Sequence, residues 1–207
     1  MPFALIMTAL DNLLLDNTTR KYATYLELGW DEESIREFLG KKENILKVAS
    51  FNTMNSSFRA SSRRNRFYEI YNRPDMMVHD TAIPGAIEGI AKLGEKFEIF
   101  VITSREEKLA DNTEEIMEKL GFPMEKMTIK FKPKHVPIER HIRETFKSIK
   151  LRYKKGVSVC LHPEDAQFYQ RQGYTPIAFT FIKECGDFQG HINIVCQDWN
   201  QIISSLT

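Results

Sequence analysis

Six short apolar runs, each about the length of one strand, recur along the chain: Phe3–Thr8, Phe97–Thr103, Met127–Phe131, Val157–Leu161, Thr175–Phe181 and Ile192–Val195. Longer stretches with apolar residues at helical spacing separate most of them. This alternation predicts a parallel sheet with covering helices, because parallel strands need crossover connections and are buried on both faces. The run Phe97–Thr103 is the clearest strand, rich in aromatic and β-branched residues and ending in the polar pair Thr103-Ser104. Pro84-Gly85 opens a helix with Ala86, Ile87, Ile90, Ala91 and Leu93 on one face, stopped by Gly94. Further helices are predicted over Arg105–Leu120 (stop at Gly121), Pro137–Leu151, Pro163–Gln172 (stop at Gly173) and Asp198–Leu206. Asn17–Met77 breaks the alternation, with amphipathic helices at Thr18–Leu28 and from Asp31 to Leu39 and no good strand. A segment of roughly 60 residues is too long for an ordinary crossover. The expectation is an α/β fold: a three-layer, Rossmann-like parallel-sheet core from residues 1–16 and 78–207, with a small helical cap at 17–77. The cap is expected over the carboxyl ends of the strands, where open α/β sheets bind ligands.

Composition narrows the class. The 207 residues carry 29 Lys+Arg against 28 Asp+Glu, a net charge of +1, so bulk charge gives no support for nucleic acid as a partner. With 42% hydrophobic and 28% charged residues, global disorder is excluded. No apolar run approaches the ~18–20 residues of a membrane span. Pro2–Leu15 has no basic region before it and runs into Asp11 and Asp16, which argues against a secretory signal. Cys160, Cys185 and Cys196 are odd in number and lack CxxC spacing, against a disulfide framework or zinc site. His79, His135, His141, His162 and His191 show no metal-ligand pairing. A cytoplasmic protein with no membrane partner is expected.

Four segments at strand ends carry the chemistry. They are Ala9-Leu10-Asp11-Asn12-Leu13-Leu14-Leu15-Asp16-Asn17, Val101-Ile102-Thr103-Ser104-Arg105, Lys132-Pro133, and Cys160-Leu161-His162-Pro163-Glu164-Asp165. In their order and spacing, over nearly the whole chain, they resemble the motifs of the haloacid dehalogenase (HAD) superfamily of phosphohydrolases. That family's first motif is Asp-x-Asp-x-Thr/Val-Leu, its second a Thr or Ser, its third a Lys, its fourth an acidic cluster. The resemblance implies that Asp11 is the general acid/base, protonating a leaving oxygen and activating water. It implies that Thr103 and Ser104 hydrogen-bond a phosphate, that Lys132 neutralises it, and that Asp165 is the remaining acid at the metal position.

The departures weigh more than the matches. The first Asp of the family attacks phosphorus, and Ala9 stands in its place with no oxygen to offer. Family Mg²⁺ is held by that Asp, by a backbone carbonyl two residues on, and by the first acid of motif four, where this chain has Leu161. Leu13 is a third departure. Sliding the register by one puts Thr8 and Leu10 at the acidic positions and still supplies no nucleophile. The reading is a HAD-like protein that has lost phosphohydrolase chemistry, needs no cofactor, and keeps a phosphoryl-ligand or protein-binding role. The alternative is an active phosphatase of small phosphorylated metabolites or nucleotides, deoxyribonucleotidase-like, using Mg²⁺ with Asp11 and Asp165.

Each residue also has a purely structural reading. Asp11 can cap the turn after a strand, and Thr103-Ser104 can cap the helix predicted from Arg105, with Glu106 and Glu107 in its first turn. Lys132 can be one of a solvated set with Lys130 and Lys134; His162 and Asp165 can cap the helix from Pro163. Cys160 is expected to be buried and inert. In the insertion, Arg59, Arg63, Arg64 and Arg66 surround Phe58, Phe67 and Tyr68, a composition that suits contact with an anionic ligand or a solvated basic helix end.

Overall fold

Strand β1 (Phe3–Met7) is buried at every position after the first, as a central parallel strand must be. It lies inside a six-stranded sheet of order β5-β4-β1-β6-β7-β8, in which every pairing is parallel. The other strands are β4 (Phe97–Glu106), β5 (Met127–Lys132), β6 (Gly156–Cys160), β7 (Thr175–Phe179) and β8 (Ile194–Cys196). Two further short strands, β2 (Leu15–Asp16) and β3 (Thr81–Ala82), form a separate two-stranded sheet. The chain winds from β1 outward through β4 to β5, then returns to β6 on the other side of β1. That reversal puts a topological switch point at the carboxyl end of β1. The computed structural model describes residues 3–41, 65–181, 188 and 192–207.

Alternate residues of the central strands enter two different apolar clusters, which makes the unit three-layered. Leu5, Met7, Ile99 and Val101 pack with Ile90, Met117 and Trp199. Ala4, Ile6, Phe100 and Ile102 pack with Phe146, Ile149 and Tyr169. The covering helices are Ala86–Leu93, Ala110–Leu120, Ile138–Arg152, Pro163–Arg171 and Trp199–Leu206. Trp199 presses against Gly89 so closely that an added Cβ would stand 2.2 Å from its ring. This is the α/β, Rossmann-like fold expected from the alternation.

One element departs from expectation. The helix predicted from Arg105 begins at Ala110, and β4 continues through Ser104 and Arg105 to Glu106 before a 3₁₀ turn at Glu107–Leu109. The strand persists because Glu106 sits in register with Lys132 of β5, after a shift between Ile102 and Glu106. Thr103 is therefore a strand residue, and its Oγ1 accepts a hydrogen bond from the Arg105 N–H at 3.1 Å instead of capping a helix.

The chain divides into two compact units, Met1–Leu15 with Ala82–Thr207, and Asp16–Thr81. In the second, the helices Thr18–Glu27, Glu32–Leu39 and Pro74–Met77 accompany helical backbone over 65–71. Tyr25, Ile35, Leu39, Phe67 and Tyr71 form its core. Arg20 is buried there, with Nε 3.0 Å from Asp80 Oδ1, an ion pair that lies off the hydrogen-bonding line. Arg20 Nη2 also donates to the Tyr71 hydroxyl at 2.6 Å. Among the described residues no helix is long and apolar enough to cross a membrane.

Candidate functional site

The segment after β1 is a tight, inward-packed turn. Thr8 N–H donates to Val159 O at 3.1 Å, and the N–H groups of Leu14 and Leu15 both donate to Leu10 O. Asn12, with φ of 64°, takes the left-handed conformation that the turn requires and that Asn tolerates better than most residues. Leu10, Leu13, Leu14 and Leu15 are fully buried. Leu13 also offers its carbonyl to the Trp199 indole N–H at 2.9 Å. Asp11 alone in this stretch presents a charged group beside the end of β4.

There it meets Arg105 in a two-pronged ion pair. Arg105 Nη2 donates to Asp11 Oδ1 at 2.6 Å and Nε to Oδ2 at 3.2 Å. The side chains are 4% and 21% exposed, respectively. The third guanidinium nitrogen, Nη1, donates to Thr113 Oγ1 at 3.2 Å. Thr103, itself buried, holds the Arg105 backbone. Asp11, Thr103, Arg105 and Thr113 thus form one network joining the β1 turn, β4 and the helix Ala110–Leu120. A forked guanidinium–carboxylate pair stabilises the carboxylate as an anion and uses both of its oxygens.

Lys132, at the end of β5, lies 3.6 Å from Glu106 Oε1 and donates to Pro133 O at 3.3 Å. Its side chain is 15% exposed, so it belongs to a paired strand end and not to a solvated lysine set. Glu106 also meets Lys108 at 3.3 Å. Burial alone would raise the Glu106 carboxyl, but hydrogen bonds and charge from Lys108 and Lys132 outweigh it and hold the group below the usual carboxylate range. Ser104 is exposed beside Thr103. Asp165 is half-buried in the first turn of the helix Pro163–Arg171, after β6. His162 takes the N-cap position of that helix and makes no side-chain cap hydrogen bond. Lys132 ends β5, Thr103 lies toward the end of β4, and Asp11 and Asp165 follow β1 and β6, so all four belong to the carboxyl-end side of adjacent parallel strands. Asp11 and Thr103 are bridged through Arg105.

Ala9, Leu13 and Leu161, the three departures from the motif pattern, all lie in or against hydrocarbon. Leu13 and Leu161 belong to one buried apolar cluster with Leu10, Leu14, Val159 and Phe179, and Ala9 packs against it. Leu161 is 3% exposed. The neutral oxygens Thr8 Oγ1 and Asn12 Oδ1 are buried nearby in sequence without a hydrogen-bond partner among the described residues. Neutral oxygens do not replace the carboxylates a hard cation needs. Among the described residues no three His, Cys, Asp or Glu side chains come together as a metal site. The residues present do not fit Mg²⁺. Cys160 is fully buried, and burial pushes its thiol far up, so it carries no thiolate.

In the insertion, Arg66 is exposed and pairs with Glu69 at 3.1 Å. Arg59, Arg63 and Arg64 lie outside the described residues. Sequence reasoning passed over Arg105, Thr113 and Glu106. Arg105 stood in the second motif itself, but the two glutamates after it suited the first turn of a helix and drew attention away from its side chain.

This sheet order and the motif segments at its carboxyl edge define the haloacid dehalogenase-like fold, and the chain has that fold. No family model matches the sequence, and no curated protein does. Solved structures do. A haloacid dehalogenase-like hydrolase from Streptococcus pneumoniae superposes with a TM-score of 0.72 at 16% identity, covering 99% of each chain. A protein from Clostridium acetobutylicum described as a predicted phosphatase gives 0.66 at 14% identity, over 100% of this chain and 99% of that one. YfnB from Bacillus subtilis, named as a HAD-hydrolase and solved bound to magnesium, gives 0.64 at 10% identity, over 100% and 99%.

Proposed function

We propose that this chain is a HAD-like protein without phosphohydrolase chemistry that retains a binding role, toward a phosphorylated small molecule or a protein. The observation that carries the reading is that Leu161, at the motif-four acid position, lies in a buried apolar cluster with Leu13, and that Ala9, at the nucleophile position, packs against it. Attack on phosphorus needs a nucleophile, and charge build-up at the transition state needs a fixed cation or donor set. Ala9 supplies no nucleophile. Asp11, which would exchange protons with the leaving oxygen, has both oxygens engaged by Arg105.

The charges that survive are cancelled within the protein. Asp11 is set against Arg105, and Lys132 against Glu106. An arriving phosphate gains little from Lys132 unless Glu106 is displaced, so affinity for small phosphorylated ligands is weak and depends on salt.

The test is phosphate release from an aryl phosphate and a panel of nucleoside monophosphates, with Mg²⁺ and with chelator. No release above a heat-treated control is expected. Turnover that needs Mg²⁺ and disappears in Asp11→Asn would overturn the proposal in favour of an active phosphatase.

A further inference from the structure

The magnesium-bound relative carries a divalent cation, whereas this chain carries a fixed organic one. We propose that Arg105 is the resident counter-cation of Asp11, standing in electrostatically for a metal ion, and that it is a positioning residue that keeps divalent cations out. The proposal rests on the reading that hydrolytic chemistry is lost, and it names the side chain that holds the site in that state.

The geometry singles out this residue. Its guanidinium spends Nε and Nη2 on the two Asp11 oxygens and Nη1 on Thr113, while its own N–H is held by Thr103. At 4% side-chain exposure it is a built part of the interior, not a mobile surface arm. Three anchors on three elements fix where its charge sits. A lysine could not reproduce this, because an ammonium is a point charge without the planar fork that spans a carboxylate.

Two consequences follow. A divalent cation approaching the turn after β1 meets a positive charge already in place, held at 2.6 Å from Asp11 Oδ1. Restoring an acid at position 9 is then not sufficient to restore cation binding, because the fixed positive charge of Arg105 stays beside the turn. Cation binding requires the guanidinium to go as well.

Mn²⁺ serves as the probe, followed by water-proton relaxation or electron paramagnetic resonance, which read binding and not turnover. Four proteins are compared: wild type, Ala9→Asp, Ala9→Asp/Arg105→Met and Ala9→Asp/Arg105→Lys. Wild type and Ala9→Asp are expected to bind no Mn²⁺ at millimolar concentration. The methionine double variant is expected to bind at least about tenfold tighter than Ala9→Asp, a change of about 1.4 kcal/mol. The lysine double variant, which keeps the charge and loses the fork, stays unable to bind but melts at lower temperature. Circular dichroism checks folding, and if the methionine variant does not fold, Ala9→Asp/Arg105→Gln replaces it and keeps a donor toward Asp11. Mn²⁺ binding by wild type, or equal binding with and without Arg105 in the Ala9→Asp background, would overturn the proposal. Those outcomes leave the hydrolysis reading untouched, since phosphate release by the wild-type protein decides that separately.

Discussion

Among the described residues, Arg20–Asp80 and Arg105–Asp11 are two guanidinium–carboxylate pairs with buried guanidinium groups that look alike and differ in what they face. In the helical unit, Arg20 and Asp80 are 1% and 0% exposed, and the Tyr71 ring lies 3.9 Å from the guanidinium carbon. In the sheet unit, Arg105 is 4% exposed but Asp11 is 21% exposed. The first pair is sealed on every side and serves the packing of its unit. The second is anchored from within and keeps its carboxylate partly in reach of solvent, at the edge where this fold binds ligands. Removing one partner of a sealed pair strands a charge in the interior, whereas water can relieve part of that cost at a half-open pair. The contrast separates an ion pair closed off within its unit from one that stays partly open to solvent at the carboxyl edge of the sheet.

The largest expected effect breaks the sealed pair. Arg20→Met leaves Asp80 buried without its guanidinium and should cost about 3–5 kcal/mol, read from urea unfolding. Loss of less than ~1 kcal/mol would mean that Asp80 is not held as an ion there. Leu161→Ala tests the buried apolar cluster of the sheet unit and should cost about 2–4 kcal/mol, measured in the same way. A neutral result would show that Leu161 is not a core residue. Arg105→Met should cost about 1–3 kcal/mol, less than Arg20→Met, because solvent reaches Asp11. If Arg105→Met proves the more damaging of the two, the contrast drawn from exposure is wrong.

The smallest effect concerns Lys132 and Glu106. Because the Glu106 carboxyl is held low in the folded protein, its contribution is present above the ordinary carboxylate range and is lost as pH falls through the folded value. The melting-temperature difference between wild type and Lys132→Met should therefore shrink as pH falls from 6 toward 3. The effect stays below about 1 kcal/mol, since the Glu106 side chain is partly exposed. A difference that grows with acid would contradict the pairing.

The parallel sheet was legible in the sequence, because buried strands leave short apolar runs and the crossovers leave helical periodicity. Asp11, Thr103 and Lys132 were legible as strand-end residues of motif type. Arg105 was not, since its partner lies far away in sequence and such a pair leaves no periodic trace. The glutamates after it mimicked a helix start, yet Glu106 belongs to the strand through its place opposite Lys132. Ala9 and Leu161 were visible as missing oxygens, but the packing of Leu161 in a buried apolar cluster, with Ala9 against it, emerged only from the fold.

In the proposed function, more than one residue separates this chain from hydrolysis: Leu161 and the Asp11–Arg105 pair stand beside the loss at position 9. Phosphate release by Ala9→Asp in the presence of Mg²⁺ tests this most directly, because it returns the nucleophile and nothing else. No turnover above wild type is predicted, since Leu161 and the Asp11–Arg105 pair remain. Mg²⁺-dependent turnover abolished by chelator would contradict the account, and would show that the site is intact but for a single side chain.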